Sequence, residues 1–179
     1  MSSSQHDLNE RFEPVSIERV SVNNDDFYQA LTSLLPQLSS SAKVPTAEQL
    51  DTIVKDPNIV IFIARSELTK SDDSQSGKPP EPSAIVGMIT VSYLNLLTGK
   101  VALVEDVVVD ASWRGRGVGK LLIHAAIGHC RQNNVKHIDL TSRPQRVSAN
   151  KLYEKMGFSR RETNVWRYVN DEYRPNDIH

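Results

Sequence analysis

The stretch from Glu105 to Leu122, Glu-Asp-Val-Val-Val-Asp-Ala-Ser-Trp-Arg-Gly-Arg-Gly-Val-Gly-Lys-Leu-Leu, carries the residue types and spacing that can do chemistry. An apolar strand delivers the chain to a glycine-rich turn, and the turn opens directly into an amphipathic helix. Backbone N–H groups and the positive end of a helix dipole then converge on one spot, where an anion is favoured. The glycines at 115, 117 and 119 let the backbone come close, while Arg114, Arg116 and Lys120 add positive charge. A phosphate or pyrophosphate is the natural ligand. Spacing narrows the choice. The nucleotide P-loop requires a glycine where Arg114 stands and a hydroxyl where Leu121 stands. The dinucleotide fingerprint Gly-x-Gly-x-x-Gly does not fit glycines separated by two and two.

What remains is Arg114-x-x-Gly117-x-Gly119, after a strand and before a helix. It resembles the acetyl-CoA pyrophosphate loop of the GNAT (Gcn5-related) N-acetyltransferases, and the likeness runs from about Ile59 to Tyr168. A second block follows in the right order: Leu140-Thr141-Ser142, then Asn150-Lys151-Leu152-Tyr153-Glu154-Lys155-Met156-Gly157-Phe158, which looks like that family's next strand and its Asn-x-x-Tyr-x-x-x-Gly-Phe helix. The resemblance implies a mixed α/β (α+β) fold: a central, mostly antiparallel sheet of about six or seven strands flanked by about four helices. The sheet would be splayed between the strands at 101–109 and 137–142, with acetyl-CoA in the cleft and no metal. Within the run Val107-Val108-Val109, backbone groups of Val107 and Val109 would pair with the pantetheine arm. Amides of Gly115, Arg116, Gly117, Val118, Gly119 and Lys120 would bind the pyrophosphate, Asn150 would hydrogen-bond the cofactor arm, and Tyr153 would stand near sulfur.

The implied reaction sets its own demands. A primary amine with a lysine-like pKa of ~10.4 is protonated at neutral pH and must lose a proton before attacking a thioester. Glu105 and Asp106 lie mid-strand, and neighbours in a strand face opposite ways, so one of them is expected to view a given side of the cleft. Glu105, acting directly or through water, is the favoured base. A strand amide near Val107 would hold the oxyanion, and the Tyr153 hydroxyl would protonate the leaving thiolate. Each residue has a plainer reading: a core tyrosine, register-setting carboxylates, an Asn150 that caps locally. Arg143 and Arg146 are candidates for recognising an acidic acceptor, or solvated loop charges. His124, His129, His137 and Cys130 show no metal-ligand spacing.

The elements that must position these groups follow from periodicity. Val15 to Val22 alternates as a half-buried strand. A helix is expected from Asn24 or Asp25 to Leu35, with Pro36 marking its end, and another from Thr46 to the residue before Asp56-Pro57. Strands are expected at Ile59–Ala64, Ile85–Tyr93 and Val101–Val109, a helix from Gly119 to about Gln132, a strand at His137–Thr141, a helix from Val147 to Lys155, and a last strand at Val165–Val169. Residues 1 to about 12 read as a flexible arm, 68–83 as a flexible Ser/Pro-rich insertion and 171–179 as a polar tail, leaving one domain over 13–170.

The chain has 179 residues with 39% apolar composition, and 21 Lys+Arg against 22 Asp+Glu give a formal charge of −1. That balance offers no general footprint for nucleic acid or an anionic membrane. One cysteine builds no disulfide framework. With no signal-peptide pattern and no long apolar run, a soluble cytoplasmic protein is expected. A C-terminal edge strand would allow a homodimer. The sequence implies an acetyl-CoA-dependent N-acetyltransferase acting on a small amine: an amino sugar phosphate, an amino acid or a polyamine. The Glu105–Val109 run is similar to glucosamine-6-phosphate N-acetyltransferases, whereas Thr141-Ser142-Arg143-Pro144 departs from that subgroup. A protein or peptide acceptor, or a non-catalytic acyl-CoA sensor, are the alternatives.

Overall fold

Two β-branched runs form the middle of the molecule, β2 (Ile59–Ser66) and β3 (Ile85–Leu96), paired antiparallel. The structure, a computed structural model, describes residues 15–66 and 84–170. The arm, insertion and tail expected at 1–12, 68–83 and 171–179 lie outside the described residues. β1 (Val15–Arg19) adds antiparallel to β2, and β4 (Gly99–Val109) adds antiparallel to β3 across a tight hairpin. β5 (Ile138–Leu140) joins β4 in parallel. A parallel neighbour needs a crossover connection, and the helix α3 (Val118–Gln132) supplies it. The sheet therefore has five strands in the order β1-β2-β3-β4-β5.

The expected sixth strand, Val165–Val169, is not formed. Val165, Trp166, Tyr168 and Val169 are all largely exposed, and the nearest free edge is that of β5, which offers only three residues to pair with. Alternation alone does not make a strand without a partner ladder. The C-terminal edge strand on which a dimer was expected to form is therefore missing too.

Helix starts follow the capping chemistry of the sequence. The helix α1 (Asp25–Leu38) is capped by Asn24, whose side chain accepts from the Phe27 amide at 2.9 Å, with Asp25 and Asp26 in the first turn. It runs three residues past Leu35, because Pro36 sits in the last turn, where its missing N–H removes a single ladder bond and the Ser39 amide still closes onto the Leu35 carbonyl. The helix α2 (Ala47–Lys55) starts at a reciprocal capping box between Thr46 and Gln49. The helix α4 (Val147–Lys155) follows β5. No helix among the described residues is long and apolar enough to cross a membrane.

The sheet is buried on both faces. Phe27, Leu31 and Leu34 of α1 and Leu50 of α2 pack on Ile61, Ile63, Met88 and Val108. On the other face Leu122, Ile123, Ala126 and Cys130 of α3 pack on Phe62, Ile89, Val91 and Val104, with Leu152, Tyr153 and Met156 of α4 beside them. Arg65 on β2 pairs with Glu18 on β1 at 3.0 Å and with Asp26 on α1 at 2.7 Å, tying the first turn of α1 to the sheet edge. Leu122 is fully buried at the centre of the α3 face. Leu122→Ala is expected to cost about 2–5 kcal/mol in urea unfolding, through lost transfer energy and an unfilled cavity.

Candidate functional site

β5 pairs with β4 only from Ala102 to Val104 and then ends. Beyond Val104 the outer edge of β4 has no neighbouring strand among the described residues. The Asp110 amide donates inward to Val86 at 2.9 Å, so by antiparallel alternation the N–H and C=O of Val107 and Val109 point outward, into the gap. The Val109 carbonyl accepts from Arg114 Nε at 3.1 Å. Val108 faces the other way: its backbone turns to β3 and its side chain is buried against α1.

β4 also carries a bulge. Met88 pairs with Val108 and Thr90 with Glu105, which leaves Ile89 opposite both Asp106 and Val107. Asp106 takes the left-handed conformation, φ 48°, which aspartate tolerates better than most residues. The extra residue shifts the strand's alternation by one. Before it, Ala102 and Val104 face α3; after it, Val107 and Val109 do. Glu105 and Asp106 thus both fall on the α1–α2 face, and the expectation that these neighbours oppose one another is corrected: both are solvent-accessible, and Asp106 accepts a hydrogen bond from Thr90 on that same face.

After β4 a single 3-10 turn, Ala111–Trp113, leads into the glycine loop. Gly115 and Gly117 have φ values of 77° and 82°, a region that favours glycine. Gly117 caps α3 and has no side chain to occupy the first-turn amides, so those of Val118 and Gly119 are left for a ligand, whereas the Lys120 amide, expected to join them, donates to the Gly117 carbonyl at 3.0 Å. Arg116 stacks over the Trp113 ring at 5.2 Å. A Cβ on Gly119 would lie 3.1 Å from Leu152 Cδ2, which shows how closely α4 approaches the loop. Between them runs a cleft of about 880 Å³ lined by Val107 to Val109, Trp113 to Lys120 and one side of α4 including Leu152, Tyr153 and Met156.

Tyr153 lines this cleft, with its ring edge-on to Phe158 at 6.1 Å between centroids. Burial raises its hydroxyl pKa, opposed by nearby Arg146, so the phenol holds its proton at neutral pH. Asn150 does not line the cleft. Its amide donates to the carbonyls of Arg143 at 3.1 Å and Pro144 at 3.4 Å, fixing the loop after β5. Arg146, at the N-cap of α4, stands on the cleft wall and donates to the Leu38 carbonyl at 2.9 Å, while Arg143 is exposed on the same loop. His129 and Cys130 belong to the core: the His129 ring packs on Phe62 and Tyr93, and burial lowers its pKa. Two lining residues, Gln37 and Leu38 at the end of α1, carry no local sequence signal that points to the cleft.

The donor set fits a coenzyme diphosphate and its arm: open main-chain groups on one strand edge, uncapped helix amides, and room for an extended ligand. The profile of the Acetyltransferase (GNAT) family matches residues 26–158, well over half of the chain. The chain belongs to the GNAT acetyltransferase family. Glucosamine 6-phosphate N-acetyltransferase 1 of Oryza sativa subsp. japonica is 33% identical over 70 residues, covering 39% of this chain and 41% of the rice protein. The match thus spans less than half the length of that curated relative. An aminoglycoside acetyltransferase from an uncultured soil metagenomic sample, solved with sisomicin, superposes with a TM-score of 0.71 at 21% identity over 87% of this chain and 95% of its own. Aminoglycoside N-acetyltransferase AAC(6')-Iy, solved with CoA, gives 0.67 at 17% identity over 87% and 95%. At these identities the structures establish the shared GNAT fold.

Within that fold the bulge holds two carboxylates at a cost. Desolvation by the sheet raises both pKa values, and the Asp106 charge raises Glu105 further, while the Thr90 hydroxyl partly offsets the effect at Asp106. A carboxyl whose folded pKa exceeds its unfolded value loses stability as pH rises from the unfolded value through the folded one. Asp106→Asn, which keeps an acceptor for Thr90, is expected to raise the urea midpoint at pH 7, with the gain shrinking as pH falls toward the ordinary carboxylate value of 3.8.

Proposed function

We propose that this GNAT protein transfers an acetyl group from acetyl-CoA to a primary amine on a small molecule. One observation carries the reading: the open edge of β4 at Val107 and Val109 and the first-turn amides of α3 at Val118 and Gly119 line one cleft. Main-chain groups of Val107 and Val109 align the pantetheine arm as an added strand, and the amides from Gly115 to Gly119, with the charges of Arg116 and Lys120, take the diphosphate. Arg114 works from behind, through the Val109 carbonyl. Acetyl-CoA supplies an activated acyl group and a thiolate leaving group.

The chain's own groups divide the proton transfers between two faces of the sheet. Tyr153 stands on the α3–α4 face, kept protonated by burial, and donates to the departing sulfur. Glu105 and Asp106 stand on the α1–α2 face, where a carboxylate accepts the proton of the incoming ammonium, directly or through water. A pKa raised toward the working range makes a carboxylate a better base. The open strand edge lies between, with the Val107 amide turned toward the gap to hold developing negative charge. Asn150 supports the site by fixing the loop that follows β5. The small-molecule acceptor is supported by the names of the similar proteins, which act on an amino sugar phosphate and on aminoglycosides.

The test is thiol release from acetyl-CoA across a panel of amino sugar phosphates, polyamines, amino acids and peptides. Turnover on a small amine is expected, and CoA binding without release for any amine would show a non-catalytic acyl-CoA module instead. Tyr153→Phe is expected to lower kcat by about 100-fold or more with little change in the KM for acetyl-CoA. The pH profile of kcat/KM is expected to rise along a carboxylate limb displaced above the ordinary value of 4.5, and Glu105→Gln to remove that limb. An unchanged profile moves the role to Asp106, tested by Asp106→Asn.

A further inference from the structure

Gln37 uses its whole hydrogen-bonding capacity, and three of its four partners lie 73 to 77 residues away in sequence. Its Nε2 donates to the Ser33 carbonyl at 3.0 Å and to Asp110 Oδ2 at 2.9 Å. Its Oε1 accepts from the Ala111 amide at 2.8 Å and from Arg114 Nη2 at 3.3 Å. Asp110 Oδ1 in turn accepts from the Ser112 amide at 2.9 Å and from its hydroxyl. Arg114 Nε closes the circuit onto the Val109 carbonyl. One amide group thus joins the end of β4, the 3-10 turn and the first residue of the glycine loop to the last turn of α1. The next residue, Leu38, receives Arg146 from the opposite cleft wall.

We infer that Gln37 is a positioning residue for coenzyme binding: from the helix on the acceptor side it holds Arg114 and the start of the glycine loop in the geometry that presents the loop amides. This rests on the reading of that loop as a coenzyme diphosphate site. The requirement is for an amide. A carboxylate at this position would keep the acceptor for Ala111 and Arg114 but lose the donor to Asp110, setting two negative charges at hydrogen-bond distance. Asp110 is held in its ionised form by the Ser112 hydroxyl and by Gln37, so the clash would be present at neutral pH. An aliphatic side chain of equal length would lose both functions.

The experiment measures CoA affinity by calorimetry for the full chain and for Gln37→Ala, Gln37→Glu, Arg114→Ala and the double variant Gln37→Ala/Arg114→Ala. Gln37→Ala is expected to weaken binding about tenfold, a change matching one or two lost hydrogen bonds. Gln37→Glu is expected to be weaker still at pH 7 and to recover as pH falls and one carboxyl is protonated. The double variant is expected to lose less affinity than the two single losses sum to, since Gln37 acts in part through Arg114. In steady state the KM for acetyl-CoA rises while the acceptor KM at saturating acetyl-CoA holds. A merely structural role would lower kcat and leave both KM values alone. Should the alanine variant fail to fold, Gln37→Met keeps the length and packing. Wild-type affinity in a folded Gln37 variant, or losses that add fully in the double variant, would overturn the inference while wild-type CoA binding leaves the acetyl-CoA reading standing. No CoA binding by the wild-type chain overturns both.

Discussion

Three residues of β5 pair with β4 before the chain turns away, and from Glu105 to Val109 the strand is left with one edge open among the described residues. Buried main-chain donors and acceptors are rarely left without partners, and every feature of the cleft follows from how this edge is handled. Arg114 folds back onto one carbonyl, the loop amides converge at its end, and α4 packs close enough to wall the gap. The remaining groups form a template for an extended, hydrogen-bonding ligand. A fully paired sheet would be more stable and would have no cleft.

The bulge at Asp106 solves a second problem on the same strand. A regular β4 would send Glu105 and Asp106 to opposite faces and place only one of them on the α1–α2 side. With one extra residue, both carboxylates share that face with Thr90, and the valines beyond still present alternate side chains to α1 and α3. The left-handed backbone at 106 and the unfavourable proximity of two desolvated acids are the sort of local strain that persists at functional sites because the surrounding structure compensates it.

Local chemistry was legible in the sequence and tertiary chemistry was not. The glycine loop, the helix starts at Asn24 and Thr46 and the β4–loop–α3 unit could be read because spacing and capping are short-range. Strand pairing at 165–169 could not, since alternation reports a preference and the structure offers that segment no ladder. Pro36 was read as a stop, whereas in a last turn it removes one bond. The shared face of Glu105 and Asp106 was missed because a bulge leaves no composition signature. Asn150, expected at the cofactor arm through family likeness, places its amide donors on the loop after β5. Gln37 was invisible, for three of its four partners are more than seventy positions away.

The odd residue in β4 also fixes a parity. Loops in this fold tolerate gain or loss of residues, since the ends they join stay in place. Position 106 does not share that freedom. A strand that kept every residue but pleated regularly through Asp106 would turn Val107, Val108 and Val109 over together, exposing what is now core and pointing the cleft-edge carbonyls into β3. Excising Asp106 along with the bulge would leave those three faces unchanged and remove one of the two carboxylates. The extra residue and the bulge are therefore gained or lost together, and with them the second carboxylate on the α1–α2 face.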